Sequence, residues 1–102
     1  MLKVIFTTLP ESQSQALAQK IIELKLAACV HLIPKITSFF IWKEKIQKEE
    51  EILLIIKTLP HKEQEITDFL SKNHPYKVPE ILTLNSDNIN SSYLQWMQGL
   101  LS

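Results

Sequence analysis

The segment from His74 to Ile81 places groups that can do chemistry on a backbone with little freedom. Its sequence is His-Pro-Tyr-Lys-Val-Pro-Glu-Ile, with two prolines four residues apart. Each proline lacks an N–H and pushes the preceding residue toward extended geometry, so we expect a stiff connector. His74 can bind a metal ion through a neutral imidazole, or it can fix the turn by bonding a nearby carbonyl or carboxylate.

Cys29 and His31 form a second candidate pair near the start of a strand-like run. Residues two apart on a strand point to the same face, so this Cys-x-His pair can chelate a metal ion. Cys29 can also act as a redox sensor, or simply pack as a small hydrophobic residue. His31 can equally be a partly exposed surface residue, and we expect no special role for His61.

Lys57 directly follows the most apolar run of the chain, Ile52–Ile56. A run without alternation indicates a strand that is covered on both faces. A lysine at its end must reach solvent or a carboxylate, and Glu80 on the stiff connector is the expected partner.

The hydrophobic pattern predicts the elements that position these residues. Their order is strand, helix, strand, strand, helix, strand, with a C-terminal helix, which is typical of an α+β sheet with two helices on one face. Pro34 predicts a bend or bulge, because proline cannot donate to a central ladder. The expected strands are Leu2–Thr8, Cys29–Trp42, Ile46–Thr58 and Glu80–Leu84, and the expected helices are about Glu11–Leu26, Pro60–Asn73 and one from Ser91 or Ser92 onward.

Composition excludes several classes of protein. The 102 residues carry 11 basic and 11 acidic side chains, so the formal net charge is zero. Such a chain offers no basic surface for nucleic acid or an anionic membrane. A single cysteine permits no intrachain disulfide, no apolar run approaches the ~20 residues of a membrane span, and the N-terminus lacks a signal-peptide pattern. We therefore expect a cytoplasmic protein without nucleic-acid or membrane partners.

The hairpin from Cys29 to Thr58 is longer than a monomer needs. Its arms of about a dozen residues exceed the usual five or six. The outer half carries Phe39, Phe40 and Trp42, and one helix-covered face cannot bury all of them. Either the hairpins pack against neighbouring subunits of a homo-oligomer, which we favour, or the aromatic side chains curl over their own core.

Several short motifs are spread over nearly the whole chain. They are Leu26-Ala27-Ala28-Cys29-Val30, Ile33-Pro34, Ser38, Trp42, Ile56-Lys57-Thr58, His74-Pro75-Tyr76, Val78-Pro79-Glu80-Ile81 and Tyr93-Leu94-Gln95-Trp96. In order and spacing they resemble the CutA divalent-cation-tolerance proteins. The resemblance implies a single CutA-like domain over residues 1–102, with a ferredoxin-like fold, assembled as an interlocked homotrimer. It also implies architectural kinship with the PII signal-transduction trimers, which bind small ligands in clefts between subunits.

The chain departs from the pattern of that family at four positions. Many members have glycine where this chain has Lys35 and Glu44. Because a positive φ is costly for other residues, we expect a different turn at the hairpin tip. Some members carry a metal-binding cysteine at the position of Thr7 and a second histidine at that of Asn73.

The function that the resemblance implies is tolerance of divalent cations through binding of copper or another divalent ion. His74 is the first expected ligand and Cys29 the second, and other ligands must complete the site. We expect no enzyme and no organic cofactor, because the chain has no Ser/His/Asp set and no Gly-rich phosphate loop.

The alternative function is that of a PII-like trimer, which senses a small anionic or polar ligand in a cleft between subunits. The residues expected to line this cleft are Lys57, Tyr76, Glu80 and Trp42. Lys57 and Glu80 can instead be a structural pair that fixes the register of the trimer. A third possibility is a stable scaffold without a ligand of its own.

Overall fold

Four antiparallel strands and three α-helices make up the computed structural model, which describes residues 1–102. The strands are β1 (Leu2–Leu9), β2 (Cys29–Trp42), β3 (Lys45–Thr58) and β4 (Leu82–Ser86). The helices are α1 (Glu11–Glu23), α2 (Glu63–Asn73), preceded by a 3₁₀ turn at Pro60–Lys62, and α3 (Ser91–Leu100). The strand order is β2-β3-β1-β4. The predicted ferredoxin-like α+β fold is confirmed, and none of the helices is long and apolar enough to cross a bilayer.

Among the element boundaries that differ from the predicted ones, those of α1 and β4 have clear local reasons. Helix α1 ends three residues early, because Lys25 adopts a left-handed conformation with φ of 54°. The N–H of Leu26 then donates to the carbonyl of Ile21, which closes the helix end as in a Schellman motif. Strand β4 starts at Leu82, which is the first residue of this strand to pair with β1, opposite Phe6.

One face of the sheet packs against α1 and α2 and forms the core. Alternate residues of β1 and β3 point to this face, and long aliphatic side chains fill the space below the helices. The buried residues are Ile5, Leu9, Leu17, Ala18, Ile21, Leu26, Ala27, Leu54, Ile56, Ile66 and Leu70. A second cluster joins α3 to the start of β1 through Leu2, Leu59, Met97 and Leu101.

The opposite face of the sheet, which we call the open face, is apolar and only partly covered. Its members are Phe6, Ile33, Leu53, Ile55, Leu82 and Leu84, placed on one face by their direct pairing across the strands. Helix α3 reaches only the end of this face, beside Val4. Leu82 and Leu84 on the edge strand are 49% and 46% exposed. A continuous apolar surface of this kind marks an interaction site.

The long hairpin carries the predicted bulge. The pairing of β2 with β3 shifts between Ile33 and Ile36, and Lys35 takes a left-handed φ of 56° there. At the tip, pairing continues to Trp42 opposite Lys45, so only two residues make the turn.

Our expectation of a different turn at the tip is wrong. Both turn residues, Lys43 and Glu44, have positive φ, 51° and 65°. A two-residue turn with this geometry matches the right-handed twist of the strands that it joins. The long ladder therefore dictates the turn, although neither residue is a glycine.

Glycine at position 44 should stabilise the protein. A left-handed conformation costs a residue with a Cβ about 1–2 kcal/mol, and glycine avoids that cost. Part of this gain in stability is offset, because glycine has more conformational freedom in the unfolded chain. We expect Glu44→Gly to raise the free energy of unfolding by about 0.5–1 kcal/mol in urea titration. Lys45→Gly, one residue further on and within β3, should lower it. If Glu44→Gly and Lys45→Gly lower the free energy of unfolding equally, the left-handed conformation of Glu44 does not carry the cost that we assign to it.

Candidate functional site

His74 is held from both sides by hydrogen bonds within the chain. It is 8% exposed and lies directly after α2, in the extended conformation that Pro75 favours. Its Nε2 donates to the carbonyl oxygen of Thr8 at 2.9 Å, and its Nδ1 accepts the N–H of Tyr76 at 3.0 Å. An acceptor at Nδ1 places the proton on Nε2, so this ring is neutral.

The electrostatics of His74 agree with this assignment. Burial lowers the pKa of His74, while the hydrogen bond to Thr8 and the carboxylate of Glu51 act in the opposite direction. A metal ion at either nitrogen would displace one of the two hydrogen bonds. Metal binding by His74 stays a prediction, and its present contacts are those of a histidine that fixes the connector.

Cys29 and His31 lie side by side on the open face. The Sγ of Cys29 is 3.5 Å from the Nε2 of His31. Bond lengths of ~2.3 Å to sulfur and ~2.0 Å to nitrogen around a tetrahedral metal put the two donor atoms about 3.5 Å apart. The two atoms are in hydrogen-bonding contact, and their distance is also that of a two-donor chelate. No three His, Cys, Asp or Glu side chains of one chain are arranged to hold a metal ion.

The surroundings of Cys29 are polar on one side. Lys57 is its direct neighbour on β3, and the Nζ of Lys57 lies 5.7 Å from the centre of the Tyr93 ring. Burial, the charge of Cys29 and a hydrogen bond to Cys29 raise the pKa of the Tyr93 phenol. Cys29 thus has a lysine as its strand neighbour and the Tyr93 hydroxyl as a hydrogen-bond partner.

The four residues predicted for a cleft divide between two ends of the sheet. Lys57 lies beside Cys29 and Tyr93, whereas Glu80 lies near Tyr76. The predicted Lys57–Glu80 pair does not form within one chain, where the only ion pair joins Lys3 to Glu63. Pairing between subunits stays a prediction.

Tyr76 borders two neighbouring concavities, which together we call the Tyr76 groove. Glu80 lines the first of them and Trp42 the second. The two concavities have volumes of about 400 Å³ and 490 Å³ and lie between the hairpin and the His74–Ile81 connector. Phe40, Tyr76 and Val78 border both concavities. Glu51 also lines the first concavity, and Glu49 also lines the second.

Glu51 is the residue of this groove that the sequence analysis missed. Its side chain is only 5% exposed, and the Tyr76 hydroxyl donates to its Oε2 at 2.5 Å. Burial and this hydrogen bond raise the pKa of Tyr76, so its phenol stays protonated. The available signal was the position of Glu51, which ends an acidic run immediately before the buried run Ile52–Ile56.

Known proteins share this sequence pattern. The family described as CutA1 divalent ion tolerance protein matches residues 3–99. The human protein CutA is 43% identical over 94 residues, which are 91% of this chain and 52% of the human protein. The chain thus spans about half the length of that relative. The divalent-cation tolerance protein CutA of Salmonella newport is 38% identical over 99 residues, which are 96% of this chain and 86% of the relative.

Solved structures agree over nearly the whole chain. CutA from Synechococcus elongatus superposes with a TM-score of 0.95 at 34% identity, covering 99% of this chain and 90% of that one. CutA1 from Oryza sativa gives a TM-score of 0.94 at 37% identity, covering 99% and 94%. Sequence and fold together show that this chain belongs to the CutA1 family of divalent ion tolerance proteins.

Proposed function

We propose that this chain forms a cytoplasmic homotrimer that binds copper or another divalent cation and catalyses no reaction. The observation that carries the proposal is the 3.5 Å separation of the Cys29 thiol and the His31 imidazole. Sulfur and imidazole nitrogen are the donors that copper and zinc prefer. The names of the relatives, which refer to divalent-cation tolerance, point to the same class of ligand.

Assembly is supported by the surfaces that a single chain leaves open. On the hairpin, Phe39, Ile41 and Ile46 are 67%, 73% and 79% exposed. The open face adds exposed leucines on β4, and both edge strands carry unpaired backbone groups. Packing these surfaces against copies of the same chain would bury the exposed apolar side chains and cover the unpaired backbone groups. The number three follows from the family resemblance.

The preferred ligand in this proposal is Cys29, with His31 beside it, and His74 comes after them. Cys29 and His31 would exchange only the hydrogen bond between them for the metal, whereas His74 must first give up a hydrogen bond to the backbone of Thr8 or Tyr76. Water or a group from a second copy would fill the remaining metal positions, because one chain brings only two donors together. Half-buried Cys29 also fits a reducing compartment such as the cytoplasm.

Cobalt(II) is a suitable probe for the proposed metal site, because it does not oxidise thiols and thiolate ligation gives it a distinct near-ultraviolet absorption band. We expect saturable binding of one ion per chain to the reduced, metal-free protein, with this band present. Cys29→Ser should remove the band. His31→Asn should weaken binding about 100-fold or more, because losing a ligand should cost at least as much as the 10–100-fold lost with a hydrogen-bond partner of a ligand.

His61→Asn is the matched control for that experiment, because it removes a histidine on a different element. Its cobalt affinity should equal that of the parent protein. Binding that survives Cys29→Ser and disappears in His74→Gln would move the site to His74. The absence of saturable binding, with no metal-induced rise in the thermal midpoint, would favour the scaffold without a ligand.

The PII-like ligand-binding trimer remains the second candidate because of the Tyr76 groove. Each of its two concavities is large enough for a small metabolite. Of the four residues predicted for the cleft, Tyr76 borders both concavities, Glu80 lines one and Trp42 lines the other.

A further inference from the structure

We infer that the Tyr76 groove binds a small organic cation that carries a primary ammonium or guanidinium group, with the buried Glu51 carboxylate as its anchor. This inference names the ligand class of the second candidate function. It is independent of the metal site, because Cys29 pairs with Lys57 at the far end of β3. Lys57 lies six positions along the strand from Glu51, a distance of about 20 Å.

Glu51 lacks the partners that a buried carboxylate normally has. Its side chain is 5% exposed, and its one hydrogen-bond donor is the neutral hydroxyl of Tyr76. No lysine lies within salt-bridge distance of it. Buried carboxylates are usually paired with a cation or accept several hydrogen bonds, because removing the charge from water is costly. The site is therefore short of positive charge.

The second oxygen of Glu51 opens into the groove. Oε1 has no hydrogen-bond partner in the chain. It is not fully buried, because the only fully buried side-chain oxygen or nitrogen atom without a partner is Oγ1 of Thr7. Oε1 must therefore be reached from outside. Because Glu51 lines the groove, that access is from the groove itself.

The other walls of the groove also suit a cation. Phe40 and Tyr76 line the same concavity as Glu51 and offer aromatic faces, which attract an ammonium or guanidinium group within about 6 Å of the ring centre. Glu49 and Glu80 add two more carboxylates, and the lining contains a single lysine, Lys77. This balance of charge repels an anion, so the anionic ligand that we predicted for the cleft does not suit this groove.

An organic cation fits these groups better than a metal ion does. Hard divalent ions need several oxygen ligands at about 2.0–2.6 Å from one point. The acidic side chains of the groove are not arranged around one point in that way. An alkyl ammonium needs one carboxylate and buries its apolar part against aromatic rings.

His74 gives the groove its fixed shape. Its Nδ1 accepts the backbone N–H of Tyr76, and the side chain of Tyr76 is in turn bonded to Glu51. The residue at the centre of the groove is thus held at both its backbone and its hydroxyl. A preformed site loses less entropy when a ligand binds.

Agmatine, which carries both an ammonium and a guanidinium group, is the probe that we would use. Calorimetry should show saturable binding of agmatine to the parent protein. Glutarate, an anion of similar length, should show no binding. Glu51→Gln should weaken agmatine binding at least tenfold, as measured by calorimetry.

Glu50→Gln is the matched control, because it removes the same charge from an exposed neighbour on the other face of the strand. Its agmatine affinity should remain within about twofold of the parent protein, and so should that of Cys29→Ser, which separates this test from the metal site. Should Glu51→Gln fail to fold, Tyr76→Phe tests the same anchor, because it removes the hydroxyl and keeps the ring.

Three outcomes would overturn the inference. Equal weakening by Glu51→Gln and Glu50→Gln would mean that agmatine senses only overall charge. Competition by magnesium or manganese at micromolar concentration would identify a metal site. No agmatine binding, together with a lower native mass of Glu51→Gln, would mean that a lysine of a second copy fills the groove.

Discussion

Replacing Leu84 by glutamate is expected to convert the proposed trimer into monomers. Leu84 lies on edge strand β4, opposite Val4 on the open face, and is 46% exposed in the single chain. If the open faces pack together, this side chain becomes buried. An unpaired charge placed in such an interface costs several kcal/mol, and each trimer would carry three. Sedimentation velocity should show a fall to one third of the native mass.

Leu24→Glu is the control for this prediction, because Leu24 has the same 46% exposure but lies at the end of α1, on the helix side of the sheet. This variant should keep the full native mass. If both variants keep the full native mass, the open face is not part of the interface. Loss of mass in Leu24→Glu alone would place the interface on the helix side.

Rules that act over a few residues allowed most of the fold to be predicted. The alternation of side chains on a strand places Cys29 and His31 on one face, and the structure brings their donor atoms to 3.5 Å. Pro34 interrupts the ladder, and the pairing shifts next to it. Pro75 ends α2, and His74 becomes its extended cap. Each of these features depends only on neighbouring residues.

Features that depend on distant parts of the chain could not be read from the sequence. The burial of Glu51 arises because Tyr76, 25 residues further along, folds over it. The two roles of His74 could not be separated until the carbonyl of Thr8, 66 residues away, was placed next to its ring. Lys57 was matched with Glu80 by charge, but the sheet register gives it Cys29 and Val4 as neighbours.

The turn at the hairpin tip shows how a long-range constraint overrides a local preference. Lys43 and Glu44 disfavour positive φ, and the local rule therefore predicted another turn. Twelve paired positions of β2 and β3 hold the strands in register up to Trp42 and Lys45. The ladder outweighs a cost of about 1–2 kcal/mol per residue at the tip.

Loss of the His74 side chain should strongly destabilise the protein. His74→Ala leaves the carbonyl of Thr8 and the N–H of Tyr76 without partners in a partly buried site. An unsatisfied buried polar group costs about 1–3 kcal/mol, so we expect the free energy of unfolding to fall by about 3 kcal/mol. Urea titration at pH 7.5 measures this loss, and a loss below about 0.5 kcal/mol would contradict a structural role.

The same histidine should make stability depend on pH in a specific direction. Burial lowers the pKa of His74 in the folded state, while the unfolded chain keeps the ordinary value of about 6.5. Above pH 6.5 both states hold the ring neutral and stability is fully present. As the pH falls from 6.5 toward the lowered pKa, the unfolded state binds the proton first and stability is lost. The parent protein should therefore show a lower urea midpoint at pH 5.5 than at pH 7.5.

This pH response separates His74 from the other histidines. His74→Ala should lose most of the difference between the two midpoints, because the group that titrates is gone. His31→Ala, which removes an exposed histidine and retains His74, should keep the full difference. If the two variants respond to pH alike, the ring of His74 is not held neutral by the fold, and one of its nitrogens is then free to bind the metal first assigned to it.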